Sequence, residues 1–143
     1  MSTAQRPSHS LRPNATKVKS VLVVDDEELV RHSLGRLLKA AGMSPTPASD
    51  GPAALALYEK GRHDLVLLDL GLPGLDGFET LDALRARYPD VRVILTSGLG
   101  GAESQALARA RGALGLLEKP FGLSTLLRAI SDATEFEPPT RPA

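Results

Sequence analysis

The stretch Asp64-Leu65-Val66-Leu67-Leu68-Asp69-Leu70-Gly71-Leu72-Pro73-Gly74-Leu75-Asp76-Gly77 decides the fold of this chain. Its continuous apolar run, Leu65 to Leu68, is typical of a parallel strand that is buried on both faces. Asp69 ends that run, and the Gly- and Pro-rich residues after it predict a loop. Asp76, with Glu79 three residues later, predicts a capping box at the start of a helix. The stretch therefore predicts one complete strand–loop–helix unit.

Three further apolar runs also end near polar side chains. They are Val21–Val24 before Asp25-Asp26, Val91–Leu95 before Thr96, and Leu114–Leu117 shortly before Lys119-Pro120. Parallel strands bring their carboxyl ends to one edge of a sheet, where α/β proteins bind ligands. Each piece taken singly has an ordinary structural explanation, such as acids favoured at a helix N-terminus. Their coincidence at matching strand ends favours a shared site.

Helical periodicity follows each apolar run. The predicted helices cover about residues 30–41, 53–60, 78–88, 102–111 and 123–130, and residues 43–49 form a poor strand interrupted by Pro45 and Pro47. Prolines confine that strand to a sheet edge, and Asp50 is expected to cap the helix after it. The order is strand–helix repeated five times. This predicts an α/β fold, (βα)5, with a doubly wound five-stranded parallel sheet and helices on both faces.

Length and composition predict one folded domain. The chain has 143 residues, of which 42% are hydrophobic, and its 17 basic residues balance its 17 acidic ones. We expect residues 19–134 to fold, with flexible tails at residues 1–18 and 135–143. Residues 1–20 carry basic but no acidic side chains, so a transit peptide is the alternative there. Balanced charge, the absence of Cys and short apolar runs predict a cytoplasmic protein without direct nucleic-acid or membrane binding.

Three carboxylates at one edge of the sheet would repel one another, and a bound cation would relieve that repulsion. Two carboxylates about 4 Å apart repel by about 4 kcal/mol at a surface-like dielectric, and a divalent cation removes that cost. Mg²⁺ prefers one or two carboxylates together with waters and a phosphate oxygen. We expect Asp26, Asp69 and the backbone carbonyl of Gly71 to bind Mg²⁺ directly, and Asp25 to act through a bound water. Aspartate is also a phosphoryl-accepting nucleophile, and Lys119 is expected to pair with Asp69 and then with a phosphoryl oxygen.

These motifs resemble the receiver domain of two-component response regulators, the CheY-like superfamily. The resemblance rests on Val23-Val24-Asp25-Asp26-Glu27, the stretch 64–77 quoted above, Ile94-Leu95-Thr96-Ser97 and Leu117-Glu118-Lys119-Pro120-Phe121. It implies the flavodoxin-like strand order 2-1-3-4-5 and a cis bond between Lys119 and Pro120. It also implies that Asp69 accepts a phosphoryl group, in a phosphorelay, from a sensor histidine kinase or a histidine phosphotransfer protein.

The resemblance further implies a switch rather than an enzyme, one that assists its own phosphorylation and dephosphorylation. Thr96 would close on the phosphoryl group and reset the surface of the fourth helix, fifth strand and fifth helix for an unidentified output protein. Two departures stand out. Leu116 occupies a position where the family usually has Tyr or Phe, and Gly71 and Gly98 lack the side chains that many relatives place near the phosphoacceptor.

Other functions on a similar fold fit the residues less well. An FMN binder needs a Ser/Thr/Gly-rich loop after the first strand, which is acidic here. A dinucleotide loop at Gly98 to Gly101 would place Glu103 against a pyrophosphate, and a Mg²⁺ phosphatase would need an acid at position 71. The alternative that remains is an interaction module that works without phosphorylation, in which the acidic pocket is structural.

Overall fold

A computed structural model describes residues 18–60, 62–72, 74, 76–98 and 102–135. Strands and helices alternate through this part of the chain. The strands are β1 Ser20–Val24, β2 Ser44–Ala48, β3 Leu65–Asp69, β4 Val93–Ser97 and β5 Gly115–Glu118, and the helices are α1 Glu28–Ala40, α2 Gly51–Leu57, α3 Gly77–Arg87, α4 Ala102–Ala110 and α5 Leu123–Glu135. The predicted α/β alternation is confirmed.

The five strands form one parallel sheet in the order β2-β1-β3-β4-β5, as the resemblance implied. Asp69 at the end of β3 is in register with Thr96 on β4, and Thr96 is in register with Leu117 on β5. The strand ends that carry polar residues therefore lie side by side. The peptide bond between Lys119 and Pro120 is cis, also as expected.

β2 is an edge strand, as its two prolines predicted. The Ser44 N–H donates to Lys19 O, and Ala48 O accepts from the Asp25 N–H, so these alternate residues face β1. The residues between them, Pro45 and Pro47, therefore have their backbone nitrogens on the outer edge. Since proline has no N–H, this edge offers no donors at these two positions to an additional strand.

Helix ends follow the local chemistry that the sequence predicted. The Asp50 side chain accepts from the Ala53 N–H at the start of α2, and Asp76 and Glu79 form both hydrogen bonds of the capping box at α3. Gly42, just after α1, has a φ of 87°, the left-handed conformation that glycine adopts without steric cost.

Several element boundaries differ from the predictions; α5, for example, ends at Glu135 rather than near residue 130. Two of the differences, at the end of α2 and the start of β4, follow from contacts in the structure. α2 ends at Leu57 rather than Lys60, because Tyr58 turns to an extended backbone and packs its ring 4.8 Å from that of Tyr88. β4 begins at Val93 rather than Val91, because the Val91 N–H closes a turn on Tyr88 O. Apolar side chains continue through both boundaries, so periodicity alone did not reveal them.

The core has two layers, one on each face of the sheet. Leu22, Leu68 and Leu95 contribute to the layer beneath α2, α3 and α4. Leu67, Ile94 and Leu126 contribute to the layer beneath α1 and α5. Because β1, β3 and β4 are covered by helices on both faces, the polar residues at their carboxyl ends are held in fixed positions.

The expected domain limits fall close to the edges of the described residues. Val18 is only 2% exposed, so the packed part begins one residue before the expected start at residue 19. α5 continues to Glu135, one residue past the expected end. Of the tails predicted at residues 1–18 and 135–143, residues 1–17 and 136–143 lie outside the described residues. No helix among the described residues is long and apolar enough to span a membrane.

Candidate phosphoacceptor and metal site

Three carboxylates meet at the carboxyl edge of the sheet. One oxygen from each of Asp25, Asp26 and Asp69 lies within 4.8 Å of the others. Asp25 and Asp69 are buried and Asp26 is exposed. The predicted acidic cluster is therefore formed, and it opens to solvent on the side of Asp26.

Asp25 has both carboxylate oxygens engaged by the protein. Its Oδ1 accepts from the Glu27 N–H at 2.9 Å, and its Oδ2 accepts from Lys119 Nζ at 2.9 Å. The Asp25 backbone carbonyl also accepts from Arg31 Nη1 at 2.7 Å. These contacts fix Asp25 at the base of the site and leave Asp26 and Asp69 better placed to meet a ligand.

Asp69 lies at the end of β3, and the backbone behind it is tightly packed. A Cβ on Gly77, the first residue of α3, would come 2.6 Å from Asp69 O and 2.5 Å from Leu70 Cα. Only glycine permits this close approach. The Gly77 N–H also donates to Leu70 O at 3.2 Å. The start of α3 thus fixes the backbone that carries Asp69.

The carboxylate of Asp69 is held mainly through one oxygen. Oδ1 accepts from the Gly71 N–H at 3.3 Å and lies 3.3 Å from Lys119 Nζ. Among the described residues, none donates a hydrogen bond to Oδ2. A Cβ on Gly71 would stand 3.9 Å from Oδ2, so the glycine leaves the approach to this oxygen open.

The electrostatics of the pocket disfavour an ionised Asp69 in the protein alone. Burial, followed by the neighbouring charge of Asp25, raises the pKa of Asp69, and the Gly71 N–H and Lys119 offset this only in part. Burial acts against the charge of Lys119, but the hydrogen bond to Asp25 and the charge of Asp69 outweigh it and raise the pKa of Lys119. The single ammonium among three carboxylates leaves an excess of negative charge.

That excess and the spacing of the oxygens fit a divalent cation. Mg²⁺ bonds oxygen at about 2.0–2.1 Å, so two ligands on opposite sides of it lie about 4.2 Å apart. The spread of at most 4.8 Å among the three carboxylate oxygens is close to that span. A donor set made only of carboxylate oxygens also favours a hard cation such as Mg²⁺ over softer metals.

Thr96 is held beside Asp69 by the sheet. It is 2% exposed, is in register with Asp69, and its carbonyl accepts from the Leu70 N–H at 2.9 Å. The Lys119 N–H donates to the carbonyl of the next residue, Ser97, at 2.8 Å. β4 therefore ties the phosphoacceptor loop and the lysine loop to one strand end.

Comparison with known proteins agrees with this geometry. The family model of the response regulator receiver domain matches residues 21–131. The chain belongs to the receiver domain family of response regulators. Receiver domains are signalling switches of two-component systems and are generally not catalytic enzymes. They bind Mg²⁺ in an acidic pocket.

Relatives share the receiver domain but are longer proteins. The chain is 37% identical over 117 residues to the nitrogen assimilation regulatory protein NtrX of Azorhizobium caulinodans, an alignment that covers 80% of this chain and 26% of NtrX. It is 38% identical over 111 residues to the sensory transduction protein RegX3 of Mycobacterium bovis, over 78% of this chain and 48% of RegX3. The chain thus spans about a quarter to a half of these curated relatives.

A solved structure shows the same architecture with ligands. The CheX–CheY–BeF3–Mg²⁺ complex from Borrelia burgdorferi superimposes with a TM-score of 0.75 at 27% identity, over 78% of this chain and 86% of that chain. Beryllofluoride and Mg²⁺ belong to that complex.

The receiver domain also has an apolar groove beside Lys119 that the sequence reasoning missed. The groove has a volume of about 280 Å³, and its apolar walls include Leu29, Leu37, Pro120 and Phe121. Leu29 is 81% exposed. A signal was available, because Leu29 falls outside the helical stripe that places the other apolar residues of α1 in the core.

On the opposite side of the site, α4 is fastened to β5 next to Leu116. Gln105 Nε2 donates to Leu116 O at 3.0 Å, and Leu116 is 6% exposed. Leu116 is in register with Leu95, the residue before Thr96. A direct polar contact thus joins α4 to the strand that adjoins Thr96, at the position where an aromatic residue was expected from the family.

Proposed function

We propose that this chain is the phosphoacceptor of a two-component phosphorelay, in which a partner phosphohistidine transfers its phosphoryl group to Asp69. The observation that carries the proposal is the juxtaposition of Asp69 with Lys119 and two further carboxylates. Asp69 Oδ2 attacks phosphorus, the P–N bond to the partner histidine breaks, and the imidazole leaves with its electron pair. The acyl phosphate that forms retains the phosphoryl group for signalling.

Each charged group of the pocket has a part in this transfer. Asp26, Asp69 and the backbone carbonyl of Gly71 would hold Mg²⁺, which when bound neutralises carboxylate and phosphoryl charge. Lys119 is already fixed by Asp25 and moves its remaining hydrogen bonds from Asp69 to a phosphoryl oxygen. Positioning and charge neutralisation supply most of the catalysis in phosphoryl transfers.

The partner approaches the open side of the pocket. The apolar groove with the exposed Leu29 adjoins Lys119 and offers a surface on which a sensor histidine kinase or histidine phosphotransfer protein can bury apolar area. Buried apolar contact fixes the orientation of the two proteins, and the phosphohistidine then meets Asp69.

The signal leaves through Thr96. Thr96 closes on the phosphoryl group, and the change passes through β4 and β5 to the surface formed by α4, β5 and α5, where an output protein binds. Leu116 cannot rotate as an aromatic residue would, so we place the coupling in the polar contact between Gln105 and Leu116 O. The contact joins the moving strand end to α4.

Beryllofluoride, which mimics a phosphoryl group on aspartate, tests this proposal directly. Amide hydrogen exchange is measured with and without beryllofluoride and Mg²⁺ for the wild type and for Asp69→Ala. We expect slower exchange in α4 and β5 of the wild type only. No change in the wild type would contradict the switch. If the wild type and Asp69→Ala instead bound the same partner protein with equal affinity, the chain would be an interaction module that works without phosphorylation.

A further inference from the structure

A second groove, separate from the phosphoacceptor pocket, lies between α1 and the edge strand β2. Its volume is about 310 Å³. Val23, Pro45 and Pro47 give it apolar surfaces, and the other lining residues all belong to α1: Glu28, Arg31, His32, Gly35, Arg36 and Lys39. This groove lies on a different face of α1 from the apolar groove beside Lys119.

The α1 wall of this groove is strongly basic. Three cationic side chains and His32 line it, against the single acid Glu28, although the whole chain has a net charge of zero. His32, Arg36 and Lys39 recur at helical spacing, so they lie along one face. From Arg31 to Lys39 the helix rises about 12 Å. The groove therefore presents a row of positive charge rather than a single point.

Two of these cations are available to a ligand. Arg36 and Lys39 are exposed, and within the described part of the chain neither forms a salt bridge. Arg31 differs, because its Nη1 donates to the backbone carbonyl of Asp25. A ligand would thus meet its main charges at Arg36 and Lys39, with Arg31 fixed between the groove and the acidic pocket.

Gly35 leaves the groove open, although glycine makes the helix less stable than alanine would. Glycine inside a helix is less stable than alanine, and nothing in the backbone demands glycine here, since Gly35 is not among the residues of positive φ. A Cβ at this position would lie 3.6 Å from Pro45 Cγ, an ordinary contact distance. A Cβ is therefore tolerated sterically, and a longer side chain would narrow the groove between α1 and β2.

The other groove surfaces indicate what kind of anion fits. Among the described residues that line the groove, none is Phe, Tyr or Trp, so a nucleotide base would have only the small His32 ring and the arginine guanidinium groups on which to stack. Pro45 and Pro47 have no N–H to donate at the outer edge of β2, so the occupant is not an added strand. A peptide can pack against these prolines and the apolar floor, and about three to four extended residues span the row of charge.

We propose that the groove between α1 and β2 binds an extended acidic segment of a partner protein, whose carboxylates pair with Arg36 and Lys39. The binding is independent of phosphorylation at Asp69, because it relies on Arg36 and Lys39, whereas Arg31 is the groove cation that contacts Asp25. Its affinity falls as salt rises, because the exposed charges are screened.

Fluorescence anisotropy with a short labelled peptide, in which glutamate alternates with serine, tests the proposal. The same peptide with glutamine in place of glutamate is the ligand control. The charge-reversed variant is Arg36→Glu/Lys39→Glu, and Lys60→Glu/Arg87→Glu makes an equal change in net charge at exposed positions outside the groove. Gly35→Met narrows the groove without changing charge. Circular dichroism establishes that each variant is folded.

We expect the wild type and the Lys60/Arg87 variant to bind the glutamate peptide, and the Arg36/Lys39 variant to lose roughly tenfold or more in affinity. Gly35→Met should also weaken binding while remaining folded. Equal loss in both charge-reversed variants would show general charge attraction and overturn the site. Wild-type binding no stronger than to the glutamine peptide would overturn it as well. Tighter binding of single-stranded DNA than of the peptide would overturn the assignment to a protein partner.

Discussion

Lys119 Nζ lies 2.9 Å from Asp25 Oδ2, closer than the 3.3 Å that separates it from Asp69 Oδ1. The lysine is thus anchored to a carboxylate whose side chain is 1% exposed, while its weaker contact is with the phosphoacceptor. An ammonium held in this way is already in place when the charge on Asp69 changes. This explains how one lysine can serve both the resting and the phosphorylated pocket.

We predict that Lys119→Ala binds Mg²⁺ but loses the phosphorylation-dependent change in α4. The variant removes no proposed metal ligand, but it removes the cation that a phosphoryl oxygen would contact. Hydrogen exchange with and without beryllofluoride measures this. Lys60→Ala, at a side chain that is 72% exposed, is the control. A normal response in Lys119→Ala would count against the assigned role.

We predict that Asp26→Ala abolishes measurable Mg²⁺ binding. Asp26 is the exposed member of the acidic cluster, and removing it leaves one free carboxylate at the mouth of the site. An NMR titration with Mg²⁺ follows the amides of the pocket. Glu27→Ala serves as control, because only the backbone N–H of Glu27 contacts Asp25. An unchanged dissociation constant in Asp26→Ala would exclude Asp26 as a ligand.

Asp69→Asn should stabilise the Mg²⁺-free protein at neutral pH. Burial and the charge of Asp25 raise the Asp69 pKa above its ordinary value of 3.8. A raised pKa means that the folded state favours the protonated acid, so stability falls as pH rises through the folded-state pKa. Asparagine removes that loss. We expect a melting temperature higher by roughly a few degrees at neutral pH, with the difference shrinking as the pH falls towards 4.

Thermal unfolding in chelator-containing buffer across this pH range checks the prediction. Asp132→Asn changes an exposed carboxylate and controls for net charge. A lower melting temperature for Asp69→Asn at neutral pH would mean that the contacts of Asp69 with Lys119 and Gly71 outweigh its burial.

Gly77→Ala should destabilise the fold and slow phosphorylation, whereas Gly98→Ala should do neither to a measurable extent. The Cβ at position 77 would lie 2.6 Å from Asp69 O, but at position 98 it meets no atom within 4 Å. Neither residue has a positive φ. Overpacking against backbone costs about 1–3 kcal/mol, and it would also displace Asp69. Denaturant unfolding and the rate of phosphorylation by acetyl phosphate are the two measurements, and equal effects in both variants would contradict the packing argument.

Sequence patterns predicted the fold well because it depends on local, repeated signals. Continuous apolar runs mark strands covered on both faces, and Asp50, Asp76 and Gly42 mark helix ends by hydrogen bonding and backbone freedom. Boundaries were less predictable where apolar side chains continue past an element. Tyr58 and Val91 are both buried, but their backbones lie outside the helix and the strand.

The members of the site could be predicted, but their contacts could not. The ends of parallel strands must lie together, which placed Asp25, Asp69 and Lys119 in one pocket. The preference of Lys119 for Asp25 depends on loop geometry over a separation of 94 residues. The requirement for glycine at position 77 depends likewise on a tertiary approach, as does the contact of Gln105 with Leu116 O. These distances have no signature in local sequence.

Intact mass spectrometry after incubation with acetyl phosphate and Mg²⁺ shows whether Asp69 accepts a phosphoryl group. We predict one added phosphoryl group on the wild type, stable in acid and labile in base, and none on Asp69→Ala. Rapid quenching at several short times captures an adduct that is quickly hydrolysed. An adduct of the same yield on Asp69→Ala, or none on the wild type at any time, would contradict the account.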